Sequence, residues 1–334
     1  MVTVPVFVGL DYHQESVQVC ILDSQGELLA NRTCANDCGA IAEFVGRHGE
    51  RVQAAVESCS GAANLAEELV RWAGWSVDLA HPGFVARMKQ NPDKTDLHDA
   101  RVLADLERVG YLPRVWLAPE PVRKLRQLVR YRQQLVGRRR DTKLRIRAVL
   151  REQRCGAPAE LSPWTRAWRC WLRKDAPLSE QGRWVIEQHL RELERLAEDL
   201  RTVEARLQQV TATDPEVLRL LAQPGIGPVT AWTLRAEIGR FDRFRSGKQL
   251  ARFCGLSPKN ASSGQRQADA GLIRAANPQL RAVLIEAAHR LGRLDPRWRA
   301  LAQRLRTAGK PGSVVAAAVA NRWVRWLFHQ MQAA

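Results

Sequence analysis

The stretch VPVFVGLDYHQESVQVCILDSQGELLANRTC, residues 4–34, decides how the first third of this chain folds. Residues 4–10, 16–22 and 27–34 are short apolar, β-branched runs joined by tight connections, and Ser24-Gln25-Gly26 supplies the second turn. That pattern predicts a three-stranded meander. Working outward, the pattern predicts a helix near 39–48, a strand at 52–57, a helix at 62–73, a strand at 75–80 and a helix at 82–90. A meander followed by alternating helices and strands is an α/β order. Asp11 ends the first apolar run and Glu57 ends the run VQAAVE.

A further helix starts in KTDLHDA, residues 94–100. Asp96 and Asp99 are three residues apart, which sets both on one helix face about one turn apart. Two readings stand side by side. Asp96 caps the helix while Asp99 favours its positive end, or the pair joins Asp11 and Glu57 in holding divalent metal. Paired carboxylates gathering two Mg²⁺ suit phosphodiester chemistry, because Mg²⁺ prefers oxygen ligands.

Charge divides the 334 residues into zones. Residues 1–100 carry 7 Lys and Arg against 14 Asp and Glu, whereas residues 101–154 carry 16 against 5. The whole chain has a net charge of +17, and most of its 52 basic residues are Arg, the better bidentate phosphate ligand. A polyanionic partner follows, and nucleic acid is the expected one. Residues 117–154 read as one long basic helix, with Arg138, Arg139, Arg140 and Lys143 as backbone-contact candidates. Residues 155–180 read as irregular, with Trp164, Trp168 and Trp171 as packing residues.

Over residues 183–211, Ile186, Leu193, Leu200 and Leu207 recur every seven residues, with Leu196, Val203 and Val210 as a companion row that His189 begins. That is a coiled-coil pattern, whose partner is either the basic helix of this chain or another copy. Residues 213–334 read as a further, mostly helical unit, closing with a helix at 312–330. In it, Pro224-Gly225-Ile226-Gly227-Pro228 resembles a helix-hairpin-helix turn, in which Gly225 and Gly227 let backbone amides face a phosphate. Ser262-Ser263-Gly264 lies in a polar stretch. Seven cysteines without a zinc-type spacing read as reduced, structural thiols. No signal peptide and no membrane-length apolar run is visible, so the chain reads as soluble and intracellular.

The order of elements is also that of the ribonuclease-H-like fold, with Asp11, Glu57 and the Asp96/Asp99 pair at its acidic positions. The chain as a whole resembles the DEDD transposases of the insertion-sequence-110 family, which includes Piv-type DNA invertases. The residues carrying the resemblance are Asp11 in VGLDYHQESV, Glu57 in AVESCSG, and Asp96 and Asp99 in KTDLHDA. PGIGPVTA, FRSGKQLARFCGLSP, the Ser-Gly at 263–264 and GLIRAANPQLR carry it through the C-terminal part.

The resemblance implies an α/β plus α architecture in three parts: a RuvC-like catalytic domain over 1–116, a basic helix and coiled-coil segment over 117–212, and a C-terminal transposase domain over 213–334. It implies DNA strand cleavage and rejoining, with Asp11, Glu57, Asp96 and Asp99 binding Mg²⁺ and a C-terminal serine forming a phosphoserine bond. That serine maps to Ser263, with Ser262 as the neighbouring choice. It also implies donor and target DNA, a structured noncoding guide RNA from the same element, and a homo-oligomer, dimer or tetramer. One departure stands out. The family's Ser-Lys-x-Gly-Asn-like stretch is here Ile273-Arg274-Ala275-Ala276-Asn277, without the lysine and glycine. Two other readings are a RuvC-like junction nuclease that uses water and an inactive nucleic-acid-binding scaffold. The first strand also resembles the opening of actin-like ATPases, but Tyr12-His13-Gln14 stands where those carry Gly, Ser or Thr.

Overall fold

A computed structural model of the chain describes residues 5–88, 95–260, 269–274 and 276–332. They form two compact units, residues 1–120 and 121–334.

The first unit is a six-stranded mixed sheet. Strands β1 (Val6–Tyr12), β2 (Ser16–Leu22) and β3 (Leu28–Ala35) form the expected antiparallel meander. Strands β4 (Val52–Glu57) and β5 (Ser76–Ala80) extend it in parallel beside β1, and the two-residue β6 (Arg114–Val115) closes the far edge. The order β3-β2-β1-β4-β5-β6 puts β1 and β4 in the middle. This mixed sheet with its helices is the α/β architecture of the ribonuclease-H-like reading. Strand β6 has too few residues to leave a periodicity.

Side-chain alternation sorts the two faces of the sheet. Val6, Val8 and Leu10 pack with α1 (Cys38–Gly46) and α2 (Ala62–Ala73) through Ile41, Phe44, Leu65 and Leu69. Phe7, Gly9 and Asp11 point the other way, towards α4 (Asp96–Arg108), where Ala100 and Ala104 meet Phe7, Cys20 and Leu22. The short α3 (Pro82–Met88) adds Val85 to that side, beside Ala55, Ala80 and Leu103. Gly9 sets how close α4 comes: a Cβ there would sit 1.8 Å from the carbonyl oxygen of Ala100. Helix and strand backbones therefore touch directly at this point.

Among its described residues, the second unit is helical apart from one small hairpin. Helix α5 (Glu120–Glu152) is the long basic helix and α7 (Glu180–Thr211) the heptad helix. Leu125, Val129 and Leu135 of α5 cluster with Leu196, Leu200, Val203 and Leu207, whereas Ile146 and Leu150 cluster with Ile186, Leu190 and Leu193. The start of one helix meets the end of the other, so they run antiparallel. The heptad row is thus buried within the single chain, while Val210 of the companion row is exposed. The stretch expected to be irregular contains α6 (Arg166–Lys174), which Thr165 caps and which buries Trp168 and Leu172 one turn apart. Trp164 and Trp171 pack against the same cluster.

The C-terminal helices α8 (Pro215–Leu221), α9 (Pro228–Ile238), α10 (Gly247–Phe253), α11 (Pro278–Leu294), α12 (Pro296–Thr307) and α13 (Gly312–Gln332) share one core with the first half of α5 and the second half of α7. Buried Glu237 ties three elements together. It accepts two hydrogen bonds from Arg130 of α5, at 2.9 and 3.1 Å, and one from Asn277 at 2.7 Å. Asn277 is also the N-cap of α11, accepting from the amides of Gln279 and Leu280. A buried acid held this way specifies how its helices meet. Strands β7 (Pro258–Asn260) and β8 (Asp269–Leu272) pair antiparallel. Ser262, Ser263 and Gly264 fall between them, outside the described residues.

The PGIG turn joins α8 to α9. Gly225 has φ +81, and a Cβ there would lie 2.4 Å from a methyl of Leu291. Left-handed backbone costs a non-glycine residue about 1–2 kcal/mol, and the leucine must also move. Gly225→Ala is therefore expected to lower unfolding free energy by about 1–3 kcal/mol. Urea unfolding of the full chain, followed through the C-terminal tryptophans, measures it.

Candidate metal centre and nucleic-acid interface

The acids come together because of strand parity. Gly9 and Asp11 share the face that α4 covers, and so do Ala55 and Glu57 on the adjacent strand. Leu10 of β1 is in register with Val56 of β4, so Asp11 and Glu57 leave the sheet side by side at the same strand ends. Asp99 immediately precedes Ala100, the residue that touches Gly9, and is 4% exposed. Asp96 lies one turn earlier, at the start of α4.

Asp96 is not the helix cap. Thr95 is: its hydroxyl accepts from the amide of His98 at 3.3 Å. The Asp96 carboxylate lies instead 3.3 Å from Nε2 of His13, and the same nitrogen is 3.5 Å from the Asp11 carboxylate. Asp11, His13 and Asp96 each offer a ligand atom, all within 4.8 Å of one another. Carboxylate oxygens joined by one imidazole nitrogen suit a divalent cation.

Two residues here escaped the sequence reading. His13 sits two positions past a strand-end acid, and that adjacency was the available signal. Cys59, just beyond Glu57, is an exposed thiol. Partial burial raises its pKa, the carboxylates of Glu57 and Asp11 raise it further, and a backbone hydrogen bond from Ala62 opposes them.

On the second unit, Arg139, Arg140, Lys143 and Arg147 line an open groove of about 280 Å³ with Trp164. The Lys143 ammonium stands 4.8 Å from the Trp164 ring centre and the Arg147 guanidinium 5.5 Å. Burial pushes the Lys143 pKa down, and Arg139, Arg147 and Arg169 add to it. Cations held this near one another favour an anion among them. Arg138 is exposed alongside, and Arg140 is partly engaged by Asp141 at 2.9 Å. Arg147 and its contact with Trp164 join residues distant in sequence and were not anticipated. Gly227 is the N-cap of α9 and supplies no side chain to its first amides, while Gly225 makes the turn before it.

Comparison with known proteins points to transposases. A family model described as a transposase, of the DEDD IS110 type, matches residues 8–154, and one described as "Transposase IS116/IS110/IS902 family" matches residues 218–303. A "Probable family 20 transposase" of Pseudomonas aeruginosa is 28% identical over 96% of this chain and 95% of its own length. The transposase for insertion sequence element IS1328 of Yersinia enterocolitica is 26% identical, covering 81% of each chain. The transposase for IS1111A of Coxiella burnetii is 24% identical over 85% of this chain and 77% of its own. Among the described residues, no helix is long and apolar enough to cross a membrane. With two acids at neighbouring strand ends, two more at the start of α4, and both family models matched in order, the chain belongs to the insertion-sequence-110 family of DEDD transposases.

Proposed function

We propose that this transposase cuts and rejoins DNA of its own element at a divalent-metal site held by Asp11, Glu57, Asp96 and Asp99, with Ser263 as the nucleophile. The observation that carries the reading is the common face of Gly9, Asp11, Ala55 and Glu57, against which α4 brings Asp96 and Asp99. Two Mg²⁺ ions bound there would supply Lewis acidity and offset the charge that builds on the phosphoryl oxygens. The four carboxylates fix where the scissile phosphate sits. The Ser263 Oγ–P bond forms as the bond from phosphorus to the leaving sugar oxygen breaks. The serine loses its proton and that sugar oxygen gains one. Attack by a sugar hydroxyl of the new partner strand then reverses the step and restores the serine.

Donor and target DNA are the substrates in this reading. A structured noncoding RNA of the element selects them, and the enzyme acts as a homo-oligomer. Arg138, Arg139, Arg140 and Lys143 hold nucleic-acid backbone, with phosphate approaching Gly225 and Gly227. The net charge of +17 and the Trp164 groove support this. Denaturing a cleavage reaction should trap a covalent protein–DNA adduct from the unaltered chain and none from Ser263→Ala. Cleavage by Ser263→Ala with free DNA ends and no adduct would mean that water attacks instead.

A further inference from the structure

His13 stands in the metal site in a way that four carboxylates do not require. It occupies the turn between β1 and β2, and that turn is fastened. The His13 amide donates to the carbonyl of Ser16 at 2.9 Å. Asn36 donates through its side chain to the carbonyls of His13 at 3.1 Å and Gln14 at 3.0 Å. The Asn36 amide donates to Glu15 at 3.1 Å. The backbone under His13 is therefore held from the start of β2 and from just past the end of β3, while its ring remains half exposed.

The spacing matches shared ligation. Two ligands about 2.1 Å from one ion at right angles lie about 3.0 Å apart. The His13 nitrogen is 3.3 Å from the Asp96 oxygen and 3.5 Å from the Asp11 oxygen, so adjacent coordination positions are reached by small movements. A simple ion pair would need only one carboxylate. Here one nitrogen faces two, from a strand end and from a helix start.

We infer that His13 is a nitrogen ligand to the ion shared by Asp11 and Asp96, and that it biases the site towards a first-row transition cation such as Mn²⁺ over Mg²⁺. Imidazole nitrogen adds affinity for transition ions, whereas Mg²⁺ favours oxygen and retains its waters. Asn36 is the positioning residue that holds the turn. The inference rests on the carboxylate metal site proposed above and assigns it a selectivity.

Full-length protein titrated with Mn²⁺ and with Mg²⁺, and examined by pulsed electron paramagnetic resonance of bound Mn²⁺, tests this without any turnover. The unaltered chain should show ¹⁴N coupling to Mn²⁺, and His13→Asn should abolish it. His13→Asn should also weaken Mn²⁺ binding about tenfold or more, with Mg²⁺ affinity changing by less than about threefold. Asn36→Ala should reduce the ¹⁴N signal and leave the carboxylates able to bind. An unaltered chain without ¹⁴N coupling, or equal loss for both ions in His13→Asn, overturns the role of His13. Asp11→Asn separates the two levels: if it binds Mn²⁺ as tightly as the unaltered chain, the underlying metal site is wrong.

Discussion

Alanine at position 9 is expected to dislodge α4, and with it half of the acidic site. The added methyl would lie 1.8 Å from the Ala100 carbonyl oxygen and 2.6 Å from the Ala104 amide nitrogen. Both are backbone atoms inside a helix, so no rotamer change relieves the clash. Either α4 lifts away from β1 or the strand bends. Lifting loosens the contacts of Ala100 and Ala104 with Phe7, Cys20 and Leu22. Overpacking of this kind costs about 3 kcal/mol or more, at the top of the range for single substitutions. Asp96 and Asp99 move with the helix, so DNA cleavage should be lost even where folded protein is recovered. Denaturant unfolding and a cleavage assay on the same preparation measure both effects. Unfolding within about 0.5 kcal/mol of the unaltered chain would show that α4 does not approach β1 this closely.

Asp11→Asn should reach the same loss of cleavage with the fold intact. Asparagine is nearly isosteric, and the position lies at the strand end rather than in the apolar core. Unfolding free energy should therefore change by no more than about 1 kcal/mol. The catalytic effect is much larger. An anionic ligand contributes to holding an ion that supplies several kcal/mol of transition-state stabilisation. At about 1.4 kcal/mol per factor of ten, cleavage should fall roughly a thousandfold or more. Strand cleavage of a DNA duplex carrying the element's end, at saturating divalent ion, is the measurement. Activity within tenfold of the unaltered chain would exclude Asp11 from the reaction.

Much of the first unit was legible because local rules decided it. The strand at 52–57 and the helix at 62–73 were placed to the residue, where apolar runs are bounded by polar turns. The first strand begins and ends two residues later than expected, at Val6–Tyr12, so Asp11 lies within it. Elements shaped by packing were less legible. The hairpin of β7 and β8 is too short to carry a period, and α6 is defined by Trp168 and Leu172 meeting a cluster built from α5 and α7. The heptad row of α7 was plain, but its partner was open, because a seven-residue repeat states that a stripe is buried and not against what. The cap of α4 shows the same limit at short range: Thr95 and Asp96 are both good capping residues, and the backbone path selects Thr95.

The sequence by itself determined the acids at two strand ends and one helix start, the charge zones, and the family. Strand alternation then requires Asp11 and Glu57 to share a face, since period two admits no other outcome once β1 and β4 are neighbours in register. Only the tertiary structure decided which helix covers that face, how closely Gly9 admits it, and that His13 stands between Asp11 and Asp96. It likewise brought Lys143 and Arg147 to Trp164. Apart from Asp11 and His13, these contacts join residues well separated in the chain, and their distances are set by close packing of backbone and side chains, which leaves no mark in any local period.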